Sequence, residues 1–227
     1  MEPQAFLLAH GLQVLPPDPS FAEPLAELVR RNALHFGRYL PPVAELVTPE
    51  AALSHLADMA QRLERGDLLE WYLFTAGTLC GSLRLNHFEP ANRKAALGYF
   101  LGAEYQGRGI VTRAARAVLG YAFQRLGLHR IELRCDTHNE PSIRVAERLG
   151  FTREGELREA ELLAGSFVSL YVYSLLRPEF PEDFGEATPP AARLPPARAT
   201  RPSGNRPRPG RTPAGAPDRG NGRRPRS

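Results

Sequence analysis

A chain of 227 residues, 42% of them hydrophobic, carries enough apolar side chain for one sizeable packed core, which excludes a wholly unstructured polypeptide. Two cysteines, Cys80 and Cys135, are too few for a disulfide framework or a cysteine metal site; both fall in apolar segments, as buried thiols of a reducing compartment do. The net charge of +4 divides into opposed halves: residues 187–227 hold ten arginines, one acid (Asp218) and no lysine, a charge of +9 that leaves −5 for the rest.

The start, Met1-Glu2-Pro3-Gln4, lacks the basic stretch and apolar run of a secretion signal, and no apolar run is long enough to cross a bilayer. A soluble cytoplasmic protein is expected. Helix-spaced apolar residues cover 20–31 and 49–65, the second with Leu53, Leu56, Ala60 and Leu63 on one face. Residues 69–75 and 78–85 read as two strands joined at Ala76-Gly77, and 95–102 as a third. The stretch 109–126 is amphipathic, with Ile110, Ala114, Ala117, Val118 and Tyr121 sharing a face. Ile131, Leu133 and Cys135 alternate as a strand. Asn139 caps a short helix that Gly150 closes, and 151–162 and 167–176 are the last two strands. Strands around two later helices, mostly antiparallel with one crossover, predict an α+β, or mixed α/β, class.

The composition changes near Phe184-Gly185-Glu186. From residue 187 on there are ten prolines and five glycines in 41 residues, with Leu194 the single large aliphatic. Such a segment cannot bury enough apolar surface to offset the entropy of ordering it, so 186–227 is expected to be a disordered basic tail. Its arginines suit contact with RNA or acidic partners, and equally a plain solubilising extension. Six histidines (10, 35, 55, 87, 129 and 138) show no metal spacing, so no metal site is expected.

The most specific local pattern is Tyr105-Gln106-Gly107-Arg108-Gly109-Ile110-Val111-Thr112, which follows one predicted strand and opens a long helix. A helix start leaves backbone N–H groups unpaired, and the macrodipole adds partial positive charge there. Two glycines let a diphosphate approach the backbone, and Arg108 adds a mobile charge. No Lys-Ser/Thr pair follows, which excludes an NTPase loop, and Thr112 stands where a dinucleotide fingerprint has its third glycine. Two glycines before a helix are, taken alone, more often a tight connector.

Gln106-Gly107-Arg108-Gly109 resembles the Q/R-x-x-G-x-G/A acetyl-CoA motif of the GNAT superfamily of N-acetyltransferases, and Leu97-Gly98-Tyr99-Phe100-Leu101 resembles that family's central strand. Asn32 with His35 and Tyr39-Leu40-Pro41, Asn92-Arg93, Asn139 with Ser142, Leu149-Gly150-Phe151 with Glu154-Gly155, and Tyr173-Ser174-Leu175-Leu176 are similar to the branch that includes the ribosomal-protein N-terminal acetyltransferases, the Rim enzymes. The resemblance implies a GNAT domain over residues 1–185: a central, twisted, mostly antiparallel sheet of six to seven strands flanked by helices. It implies acetyl-CoA as co-substrate, held by Leu101, Gln106, Gly107, Arg108, Gly109, Ile110, Val111, Thr112, Asn139 and Ser142. It also implies Ser142 as the group that protonates the leaving thiolate, Glu161 as base, and Asn32, His35 and Tyr39 on the acceptor side. Many members carry a tyrosine acid four positions beyond Ser142, where this chain has Ala146; Ser169 and Pro42 also depart from the branch's aspartate and tryptophan.

The residues leave the plainer roles open: Ser142 beside the Asn139 cap as a helix start, and Glu161 as a strand-end carboxylate. The expected acceptor is a primary amine. An α-amine titrates near 7.7–8.0 and a lysine near 10.4, so preparing neutral lysine at pH 7 costs roughly 3–4 kcal/mol more, which favours a protein N-terminus; the resemblance to the Rim enzymes implies a ribosomal protein as the partner. A small-molecule amine acetyltransferase and a silent acyl-CoA-binding module with a nucleic-acid-binding tail are the alternatives. A homodimer is expected by analogy with similar enzymes alone.

Overall fold

The computed structural model describes residues 3–181. The boundary near Phe184 and the tail 186–227 lie outside the described residues. The described residues form eight strands: β1 (Phe6–Leu8), β2 (Leu12–Leu15), β3 (Leu69–Thr75), β4 (Thr78–Glu89), β5 (Lys94–Leu101), β6 (Arg130–Asp136), β7 (Thr152–Leu163) and β8 (Ser166–Leu176). They form one mixed sheet in the order β1-β2-β3-β4-β5-β6-β8-β7. Five helices flank it: α1 (Ala22–Tyr39), α2 (Pro41–Ala44), α3 (Pro49–Glu64), α4 (Ile110–Gln124) and α5 (Glu140–Arg148).

The expected six or seven strands are corrected to eight. The addition is an N-terminal hairpin, β1–β2, that pairs antiparallel onto β3. Helix α1 runs eight residues beyond the predicted Arg31, through a kink at Asn32 (φ −119°, ψ 15°), because Phe36 in its last turns is buried. Thr48 accepts the N–H of Ala51 and Pro49 stands at the first position, which fixes the start of α3.

Alternation along the central strands divides the core in two. Leu69, Trp71, Leu73, Leu83, Leu97 and Ile131 pack against α4 and α5 on one face. Tyr72, Phe74, Leu79 and Phe100 pack against α1 and α3 on the other. The pairing of β5 with β6 is parallel, with α4 as the crossover, and all the other pairings are antiparallel.

Candidate active site

The pairing of β5 with β6 ends early. Lys94, Ala95 and Ala96 pair with Arg130, Ile131 and Glu132, and beyond them β5 stays with β4 as far as Leu101 while β6 stays with β8 as far as Asp136. The two strands therefore splay apart at the centre of the sheet. Gly102 N–H donates to Cys80 C=O, so ladder alternation turns the backbone groups of Leu97, Tyr99 and Leu101 away from β4 and into the gap. A cleft of ≈ 1210 Å³ runs through this gap and is lined by β5, β6, α1 and the starts of α4 and α5.

The turn that opens α4 closes one end of the cleft. Gly107 and Gly109 both have left-handed backbones, φ 73° and 68°, which explains why glycine stands there. Gly109 is the N-cap residue and supplies no side-chain cap, and no acidic residue occupies the first turn. The free N–H groups and the positive helix end face the cleft with Gln106, Gly107, Ile110, Val111 and Thr112 among its lining. A helix start of this kind, with no carboxylate in its own first turn, can accept an anion. Arg108 does not line it: its exposed guanidinium lies 5.7 Å from the Tyr105 ring centroid.

The start of α5 lies at the same gap. Asn139 caps that helix, its Oδ1 accepting Ser142 N–H at 3.2 Å. The Ser142 hydroxyl lies 2.6 Å from Tyr99 Oη, which comes from β5, and both side chains line the cleft. A hydroxyl in that position can donate to sulfur leaving through the gap. Burial first, and then the Asp136 charge, push the Cys135 thiol up to about 11, so this cleft-lining cysteine stays protonated at neutral pH.

Glu161 also lines the cleft, from β7. It stands on β7 across from Val168, after a register irregularity between Leu157 and Glu161, and it is exposed. His35 and Tyr39 line the cleft from α1, with Gln106 Nε2 3.1 Å from His35 Nε2. Asn32 is not with them. It is 4% exposed, its Nδ2 donates to Leu28 C=O at 3.0 Å and its Oδ1 accepts Ala103 N–H at 2.8 Å. Both arms of the amide are committed to backbone, so Asn32 braces the chain between β5 and α4 rather than lining the cleft.

Residues 12–152 match the family model described as "Acetyltransferase (GNAT) domain". The chain belongs to the GNAT acetyltransferase family. It is an N-acetyltransferase that uses acetyl-CoA. A Bacillus subtilis (strain 168) protein provisionally named ribosomal N-acetyltransferase YdaF is 36% identical over 167 residues, 72% of this chain and 90% of that protein. The spermidine N(1)-acetyltransferase of Escherichia coli (strain K12) is 34% identical over 91 residues, 40% of this chain and 49% of that enzyme. A solved structure of RimL, the ribosomal L7/L12 alpha-N-protein acetyltransferase, in complex with coenzyme A superposes with a TM-score of 0.72 at 26% identity, covering 76% of this chain and 98% of that one.

Two features of this GNAT enzyme escape the sequence. One is Tyr99, whose link to Ser142 spans 43 positions. The other is Glu70, a carboxylate 1% exposed on β3 at the floor of the cleft, whose Oε1 accepts the Ser82 hydroxyl at 2.5 Å. Alternation alone carries the signal for Glu70, because it puts that residue on the α1/α3 face with Tyr72 and Phe74. No group of three or more metal-ligating side chains occurs among the described residues, and no described helix is long and apolar enough to cross a membrane.

Proposed function

We propose that this acetyltransferase transfers its acetyl group to the α-amine of a protein N-terminus, with ribosomal proteins as the acceptor class, in the cytoplasm. The observation that carries the reading is the convergence of three features on one cleft: the uncapped α4 start, the splay of β5 from β6, and Ser142 and Glu161 both on its lining. The first suits a diphosphate, the second a thioester arm that pairs with strand backbone, and the third an amine on one side with a thiolate leaving on the other.

In this reading Gln106, Gly107 and the N–H groups of Gly109 to Thr112 hold the diphosphate, and Arg108 contributes charge from outside the cleft. Leu101 N–H donates to the thioester oxygen as negative charge develops there. Glu161 takes the proton of the amine, directly or through water. The amine nitrogen forms the new C–N bond, the C–S pair passes to sulfur, and Ser142 donates to that sulfur. Asn139 holds Ser142 in place, and His35 and Tyr39 face the acceptor.

The acceptor class rests on the likeness to YdaF and RimL and on chemistry. An α-amine is neutral in useful amounts near pH 7, so one exposed carboxylate suffices as base. A second reading, a small polyamine as acceptor, is favoured by the spermidine acetyltransferase match and by the five carboxylates on the cleft, Glu70, Glu89, Glu132, Asp136 and Glu161, which stand there among arginines and Lys94.

Intact-mass analysis after incubation with acetyl-CoA separates the readings. An added acetyl group on peptides with a free N-terminus, and none on the same peptides blocked, supports the first. Acetylspermidine without peptide product supports the second. Coenzyme binding with no transfer to any amine leaves a silent acyl-CoA-binding module.

A further inference from the structure

Tyr99 enters β5 as an aromatic residue of a core strand, yet its hydroxyl is committed to the Ser142 hydroxyl at 2.6 Å, and both line the cleft at the gap between β5 and β6. Ser142 N–H is already taken by Asn139. Tyr99 is therefore the one side-chain partner of the Ser142 hydroxyl among the described residues.

In a pair of hydroxyls, one donates to the other and the accepting group keeps its own hydrogen free. A phenol is a much stronger acid than an alkyl hydroxyl, so the phenol donates. Tyr99 O–H then points at Ser142 Oγ, and the Ser142 hydrogen is free to face the cleft.

We propose that Tyr99 is a positioning residue for acetyl transfer: by donating to Ser142 Oγ it orients and polarises the Ser142 hydroxyl toward the sulfur of departing coenzyme A. This rests on the reading in which Ser142 serves that sulfur. Tyr99 moves no proton of its own. The C–S bond breaks with its electron pair on sulfur, Ser142 stabilises that charge, and the net proton on sulfur is the one lost by the amine. Burial first raises the Tyr99 phenol above its ordinary range, against the opposing Ser142 hydrogen bond, consistent with a group that stays protonated through turnover. A chain of two donors strengthens the second, because each bond polarises the next.

The test is a double-mutant cycle of Tyr99→Phe and Ser142→Ala, read as thiol release from acetyl-CoA with a peptide bearing a free N-terminal serine and, separately, with spermidine. Slow hydrolysis of acetyl-CoA by the protein alone is a third readout, because it also expels the thiolate and needs no acceptor. Tyr99→Phe is expected to lower kcat about tenfold with KM for acetyl-CoA within about twofold. In the Ser142→Ala background the same change is expected to have no further effect. Wild-type rates in Tyr99→Phe, multiplicative losses in the double variant, or a raised KM for acetyl-CoA with kcat intact would each overturn the proposal. Failure of the wild type to acetylate either amine would count against the acceptor reading instead, with the hydrolysis cycle still deciding the role of Tyr99.

Discussion

Asn32 Oδ1 accepts the backbone N–H of Ala103 at 2.8 Å, joining the kink of α1 to the turn after β5 across 71 positions. The same amide donates to Leu28 C=O, so one side chain holds α1 against the segment that leads to Gly107 and Gly109. Replacing Asn32 by Ala leaves both backbone groups without that partner. A loss of about 1–3 kcal/mol in folding stability is expected, with weaker acetyl-CoA binding as the turn loosens. Urea melts and a coenzyme titration check both.

Gly107 and Gly109 respond differently to alanine. Each substitution forces a left-handed backbone on a residue with a Cβ, at about 1–2 kcal/mol. At Gly107 nothing lies within 4 Å of an added Cβ, so strain is the whole effect on the fold. At Gly109 the new atom meets Arg113 Nη1 at 3.3 Å, beside the N–H groups assigned to the diphosphate. Thermal melts with and without acetyl-CoA are expected to show similar losses of intrinsic stability, with the larger loss of coenzyme stabilisation in Gly109→Ala.

Glu161→Gln separates proton removal from coenzyme binding. A fall of about tenfold to a hundredfold in kcat, with KM for acetyl-CoA unchanged, is expected. Activity should persist at a reduced level, because exposed Glu161 sits where water can substitute. Steady-state kinetics on a free-N-terminal peptide measures it, and a raised KM for acetyl-CoA with unchanged kcat would remove Glu161 from the base role.

Arg130 and Glu154 set a pH dependence of stability. Arg130 Nη1 and Nη2 both donate to Glu154, at 2.7 and 2.5 Å, and Ser174 donates to the same carboxylate at 2.7 Å. The Arg130 bonds first, then Ser174, hold Glu154 down to about 2, against a small opposing effect of burial. An unfolded glutamate titrates near 4.3. The folded value is the lower one, so the stabilisation is present above the unfolded value and is lost as pH falls from about 5 to about 2. With Glu154 42% exposed, added salt is expected to blunt the effect. Urea melts across that window should show a steeper acid loss for wild type than for Glu154→Gln.

How much of this was legible in the sequence depends on the range over which each feature is encoded. The turn before α4 was readable because its glycines are adjacent and its helix follows at once. Six strands were readable, β3 and β4 from the Ala76-Gly77 turn between them and β6 from alternation. The N-terminal hairpin was not: β1 has three residues, Leu7 in it is 47% exposed, and His10 and Gly11 turn the chain with left-handed backbones. The last turns of α1 were hidden by His35-Phe36-Gly37, whose helical state comes from burying Phe36 against Phe100. In the cleft, Ser142 and Glu161 were named by resemblance. Tyr99 reads from the sequence only as a strand residue, because a hydrogen bond across 43 positions leaves no local pattern.

The central claim is that the open N–H groups from Gly107 to Thr112 hold the diphosphate of coenzyme A while its thioester arm runs between β5 and β6. A crystal structure of the protein with coenzyme A tests it most directly. Diphosphate oxygens are expected within hydrogen-bond distance of those amides, with the sulfur beside Ser142. A coenzyme bound elsewhere, with the turn empty and β5 and β6 closed on each other, would contradict it.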